Sequence, residues 1–339
     1  MNAPQSRPRR SRPATRFGAL PAAVFAALLG LVALAAEPAA AQDKVRVGVF
    51  PVSSSLPYFV ALERGFFAEQ NIAPEMTRLI GGPPNVAALI TNQIDVAAVL
   101  VTIEGINANL KKPGVAMYIS LNSQNRTYQM EQFVVRRGFK ATSLKDLKGA
   151  KIMSAPGPAN VTMAKAALAA VGLKDGDYTI DQLDMGQHVN VLTAGTFDAG
   201  YTLEPNASTM RKLGVATTLE TGVISHYILG DPDANAFAAG SAMSSDFIAA
   251  RPDVARRFAA AWAKAIDFIN NNPAEARKHL VKNTFTPEDV ADTVPMIRFF
   301  MAKDLTAKHL AEYQKFIDFS VTAGTLSEKV DVTKFIKVF

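Results

Sequence analysis

Short polar clusters recur along this chain, each placed just after an apolar run and just before a stretch with helical spacing. Ser53, Ser54 and Ser55, with Tyr58 shortly after, follow the run 45–50 and precede Phe59, Leu62 and Phe66. Gly81, Gly82, Pro83 and Asn85 hold the same place after the run 74–80, and Thr102 and then Asn122-Ser123 follow the next two runs. Farther on come Pro158, Asn160 and Thr162, then Met185 with His188, then Glu204 before Pro205. Hydroxyls, carboxamides and free backbone N–H groups at helix starts are the chemistry of noncovalent capture, because such ends carry unsatisfied donors and a partial positive charge. Glycine at that step lets a ligand approach the main chain. Each cluster also has a plainer reading. Serine before proline is an ordinary helix cap, Gly-Gly-Pro an ordinary turn, and Thr102, Asn122 or Glu204 ordinary solvated positions.

The same residues leave little room for other chemistry. The chain has no cysteine, which rules out disulfides, thiolate metal sites, a cysteine nucleophile and a lipid-modified cysteine anchor. His188 has no second histidine or carboxylate at ligand spacing, so no metal and no cofactor is expected. No G-x-S-x-G elbow, H-E-x-x-H motif, Walker loop or Ser-His-Asp order occurs, and the reading is a binding protein, not an enzyme. The expected ligand-binding set is therefore Ser53, Ser54, Ser55, Tyr58, Gly82, Pro83, Asn85, Thr102, Asn122, Pro158, Asn160, Met185, His188 and Glu204. These loops hold no Lys or Arg, Arg126 beside Tyr128 being the nearest candidate, so a zwitterion or a heterocycle with N–H donors fits at least as well as a simple anion.

The elements that must position these groups alternate. Strands are expected at 45–50, 74–80, 94–101 and 115–121, with helices after Pro57, from Pro83 with Val86, Leu89 and Ile90 on one face, and over 104–111. A second copy of the pattern has strands at 150–154, 178–183, 197–203 and 215–219 and helices at 160–171 and 187–194. Leu89-x5-Asp95 and Leu192-x5-Asp198 fall at the same step of the two copies, 103 residues apart, and that offset places Glu204 opposite Val101 at the end of a central strand. A strand at 235–243 then leads into a mostly helical tail with an amphipathic helix over 252–269, expected to pack back on the first lobe. Strand–helix alternation predicts an α/β fold of two lobes, each a mostly parallel sheet flanked by helices, with ligands held at the carboxyl ends of the strands.

Residues 1–41 read as a cleaved leader: Arg7, Arg9, Arg10, Arg12 and Arg16 precede an apolar run over 17–36 that ends in Ala39-Ala40-Ala41, with the cut before Gln42. Arg9-Arg10 leaves both the general and the twin-arginine export routes open. The leader's five Arg and one Glu carry most of the net charge of +6, leaving 31 basic and 29 acidic residues without a basic cluster, so nucleic acid is not an expected partner. In a diderm bacterium the product would be periplasmic. The mature chain divides into lobe I, 42–134 and 240–339, and lobe II, 135–239, with hinge crossovers near 133–137 and 235–240.

Pro57, Gly65-Phe66-Phe67 and Glu69, Gly81-Gly82, Ala88-Leu89-x4-Ile94-Asp95 and Asp198-Ala199-x4-Glu204-Pro205 together resemble the periplasmic substrate-binding proteins of ABC importers for nitrate, sulfonates, taurine and thiamine pyrimidines. The resemblance covers about residues 45–300. It implies a type II periplasmic-binding-protein fold, a monomer that captures a small molecule between its lobes, and delivery to a membrane permease driven by a cytoplasmic ATPase. A sulfonate- or taurine-like compound and a pyrimidine-like heterocycle both fit that expectation. A receptor feeding a sensor or a non-ABC system, and an enzyme resembling the eukaryotic pyrimidine synthase, are the alternatives. Leu203 stands where such proteins often carry an aromatic residue before the Glu-Pro pair, and Met185-Gly186 replaces a usual helix opening, which leaves the ligand unassigned.

Overall fold

A computed structural model describes residues 41–284 and 286–339. The expected leader lies outside the described residues. Among these residues no helix is long and apolar enough to cross a membrane.

Two mixed sheets organise the chain. The first, in the order β11-β4-β10-β3-β1-β2, comprises β1 (Asp43–Val49), β2 (Ile72–Arg78), β3 (Val96–Val101), β4 (Met117–Gln124), β10 (Ala236–Met243) and β11 (Arg298–Met301). The second, in the order β7-β6-β8-β5-β9, comprises β5 (Glu131–Arg136), β6 (Lys151–Ser154), β7 (Thr179–Gln182), β8 (Ala199–Leu203) and β9 (Ala216–Thr221). β2, β1, β3 and β4 share one direction, as do β7, β6, β8 and β9, because each is reached by a helical crossover, which returns the chain in parallel. In each sheet one strand runs the other way between the central strand and the next: β10 between β3 and β4, and β5 between β8 and β9. Both arrive from the other sheet's stretch of chain.

That exchange corrects the expected crossovers. Residues 133–136 lie in β5 and 236–240 in β10, while the chain passes between sheets through 125–130 and 222–235. Each crossover delivers the antiparallel strand of the sheet it enters, so the apolar run that marks a change of lobe is itself strand. The two connections are zipped together: Arg126 donates to both carboxylate oxygens of Asp233 at 2.6 Å, and its amide donates to the Pro232 carbonyl at 3.1 Å.

The internal echo has a structural cause. Leu89 and Leu192 are both buried, and each following aspartate turns back on the start of a neighbouring parallel strand, β1 in the first sheet and β6 in the second. Asp95 accepts the Arg46 amide at 2.8 Å, and Asp198 the Lys151 amide at 3.0 Å. Arg46 and Arg136 pair with the two carboxylates.

The tail returns to the first sheet, as its pattern predicts. The helix Pro252–Asn271 buries Phe258, Trp262, Ile266 and Ile269 against the helix Leu56–Glu63, and the Trp262 indole donates to Ser120 of β4 at 3.0 Å. It also adds β11, a four-residue edge strand that a helical reading of the tail leaves out.

Candidate functional site

The carboxyl ends of β1, β3 and β4 and the start of β10 face β8, the start of β5 and the helix Pro158–Ala170 across a cleft. Its enclosed part holds about 50 Å³ of solvent-accessible space, room for roughly four waters. The surrounding recess, counted together with open solvent, amounts to about 640 Å³. Most of the wall is apolar, with Phe50, Val52, Val99, Val101, Met130, Met163, Leu203 and Phe316 all contributing. The polar wall is Ser54, Asn122, Gln124, Glu131 and Asn160, drawn from both sheets. The lobes touch around it: the Ser53 amide donates to the Glu204 carbonyl at 3.1 Å.

Four of the fourteen expected residues line this space, namely Ser54, Gly82, Asn122 and Asn160. Asn160 also donates to the Pro156 carbonyl at 2.7 Å, bracing the turn that opens its helix. Gly82 begins the helix Gly82–Ile90, and a Cβ there would fall on the Glu104 carboxylate, so only glycine admits that side chain.

The other ten sit beside the cavity or away from it. The Ser55 hydroxyl donates to the Phe50 carbonyl at 2.6 Å, closing the turn after β1, and the Ser53 hydroxyl is buried without a partner. Tyr58 turns into the core of lobe I against Phe59 and Phe67. Asn85 donates to the Gly81 carbonyl at 2.8 Å and so fixes the glycine turn from inside. The Thr102 hydroxyl is spent on the Phe237 and Ala238 carbonyls of β10, at 3.0 and 3.2 Å. Pro83 and Pro158 are exposed at the first turns of their helices, where a missing N–H costs nothing. Met185 packs among Val52, Ala155 and Leu203. His188 is fully buried between the Thr202 hydroxyl, 2.8 Å from Nδ1, and the Leu183 carbonyl, 3.1 Å from Nε2. Burial lowers its pKa to about 4, so the ring is a neutral brace within lobe II. Among the described residues no cluster of three or more metal-ligating side chains occurs.

Glu204 is the largest departure. It stands at the end of β8 as the offset predicts, but its carboxylate turns into lobe II, accepting from Gln132, from Arg211 at 3.0 Å and from the Ser208 amide at 3.1 Å. Burial raises its pKa, with the Arg211 charge and the Ser208 bonds opposing. Leu203, one residue earlier, is the one that meets the cavity. A strand alternates faces residue by residue, so an offset good to one position names the wrong face.

Two carboxyls that sequence reasoning passed over are at the cleft instead. Glu131 opens β5 and lines the cavity; it is 7 % exposed, its Oε2 has no hydrogen-bond partner, and burial pushes its pKa up to about 8. Glu104 lies in the first turn of the helix Thr102–Lys111, 9 % exposed, with neither oxygen in a well-formed hydrogen bond. It fills the notch at Gly82, and its Oε1 lies 3.0 Å from where a Cβ on Gly157 of lobe II would sit. Burial raises its pKa to about 7, the Ala159 amide opposing. A signal existed for both: each is a lone acid where a buried apolar element begins.

Comparison with known proteins agrees with this architecture. The alkanesulfonate-binding protein SsuA of Xanthomonas axonopodis pv. citri, solved with MOPS, superposes with a TM-score of 0.70 at 19 % identity, covering 89 % of this chain and 100 % of that one. The periplasmic nitrate-binding protein NrtA of Synechocystis gives 0.67 at 16 % identity over 86 % and 84 % of the two chains. The desulfurization enzyme DSZB gives 0.60 at 15 % identity over 88 % and 97 %, so the fold carries catalysis as well as binding. At such identities the likeness is one of fold, here the two-lobed fold of periplasmic binding proteins. No curated protein matches the sequence. The family model described as NMT1/THI5 like matches residues 53–276, more than half the length, and the chain belongs to that family.

Proposed function

We propose that this chain is the solute-binding component of an ABC importer, exported to the periplasm, where it captures a small organic molecule between its lobes and presents the closed form to a membrane permease. The observation that carries the reading is the cleft itself, walled by strand ends from both sheets and by polar groups from both, so that one ligand contacts both lobes. A clamp of this kind stores ligand affinity as a preference for the closed state. The paired connections 125–130 and 222–235 serve as the hinge, since they are the stretches by which the chain passes between the two sheets. The fold likeness to SsuA and NrtA supports the same reading, and the alternating Arg-rich and apolar opening of the sequence supports export with a cut before Gln42. The polar wall of Ser54, Asn122, Gln124, Glu131 and Asn160 suits holding a solute: none of these is paired with a histidine or lysine that would activate a nucleophile.

A thermal-shift screen tests this. A panel of small amines, amidines, sulfonates, carboxylates and heterocycles should contain members that stabilise the mature chain, by about 2.7 kcal/mol at one hundred times the dissociation constant. Uniformly flat melting curves across the panel contradict it.

A further inference from the structure

The structure treats its buried carboxyls in two distinct ways. Glu204 is matched by Arg211 and Asp95 by Arg46. Among the described residues Glu104 and Glu131 form no ion pair, and three of their four oxygens are buried without a well-formed hydrogen bond. A carboxyl removed from water is costly unless a donor meets it, and most buried polar groups in native proteins are met. These two lie at the cleft, Glu131 in its wall and Glu104 between Gly82 and the Gly157 turn where the lobes close on each other. Among the described residues no Lys, Arg or His lines the cavity. An anion placed there would face carboxyl oxygens with no positive side chain to balance it.

We propose that Glu104 and Glu131 determine the specificity of the cleft, and that its ligand is a small molecule with an apolar or flat body carrying amidine-, guanidine- or amine-type N–H donors, not a sulfonate or nitrate. The proposal rests on the solute-binding reading and narrows it. The apolar wall of Val52, Val99, Met163 and Leu203 receives the body, and the cationic end goes to Glu131 in the wall and to Glu104 next to the lining residue Gly82. Because Glu104 reaches from lobe I to the Gly157 turn of lobe II, a donor bound to it touches the contact that closes the clamp.

Binding of a cation favours the ionised carboxyl, so it displaces a proton wherever burial has kept that carboxyl neutral. Burial holds Glu104 up to about 7 and Glu131 up to about 8, so affinity for a cation rises between pH 6 and 8. The groups facing them do not titrate there. Tyr118, beside Glu104, and Tyr201, beside Glu131, are buried hydroxyls raised well above the ordinary range, and the Ala159 group is a backbone amide.

Calorimetry on the mature chain with benzamidine and its anionic counterpart benzenesulfonate, at pH 6 and pH 8, decides the matter. Benzamidine should bind, well over tenfold tighter at pH 8 than at pH 6, and Glu104→Gln and Glu131→Gln should each weaken it about tenfold at pH 8 and flatten the pH dependence. Urea midpoints at or above wild type for both variants show that the fold is intact, since glutamine removes a buried acid. Preference for benzenesulfonate, or undiminished benzamidine binding by both variants, overturns the assignment while leaving solute binding standing. Silence from both probes also overturns it, and the thermal-shift panel then judges the solute-binding reading separately.

Discussion

Glu204 shows how a side chain's type and its direction are separate facts. Its place at the end of β8 follows from the sequence, whereas its partners Gln132, Ser208 and Arg211 lie 72, 4 and 7 residues away and become neighbours only through the sheet and the helix that follows. Glu204→Gln therefore belongs to stability: it should lower the free energy of unfolding by about 2 kcal/mol, since an Arg211 contact loses its counter-charge in the interior. Urea denaturation measures this, and ligand affinity should not change; a tenfold loss of affinity at unchanged stability would return Glu204 to the cleft. Ser55, Asn85, Thr102 and His188 make the same point. A hydroxyl or carboxamide after a strand satisfies a ligand or a main-chain carbonyl equally well, and composition does not say which. Ser54, Gly82, Asn122 and Asn160 line the cavity because each stands near the carboxyl end of a strand or in the first turn of a helix, the places where the alternation of the sequence puts polar groups.

At the scale of elements, the strand–helix alternation was readable almost throughout, because buried parallel strands are continuous apolar runs bounded by turn residues. β3, with the sequence VAAVLV, is such a run. β5 and β11 were not readable as strands. β5 coincides with the change of lobe, and β11 is four residues inside a helical tail, so tertiary pairing with β8, β9 and β4 defines them. The helix that opens at Gly82 carries a sharper consequence. Gly82→Ala places a methyl on the Glu104 carboxylate and should cost about 1 to 3 kcal/mol of stability by overpacking. Removing the obstacle should restore most of it: the double variant Gly82→Ala with Glu104→Ala should be less destabilised than the sum of the single changes, in a double-mutant cycle read by chemical denaturation. Strict additivity would mean that the two groups do not meet.

For the whole molecule, two sheets that share one five-stranded order, the first extended by β11, each take an antiparallel strand from the chain returning from the other, and the two connections between them are tied by Arg126 and Asp233. Under the proposed function, the lobes would turn about these two connections, and the cavity between the sheets would open and close with that turn. The chain's lack of cysteine makes the motion directly observable. Gln93→Cys and Lys174→Cys introduce exposed label sites, one before β3 of the first sheet and one before β7 of the second. Energy transfer between dyes at those positions, followed during titration with a ligand found by thermal shift, should move in a single saturable transition whose midpoint equals the calorimetric dissociation constant. A ligand that saturates the protein while the distance between the labels stays fixed would contradict capture between the lobes.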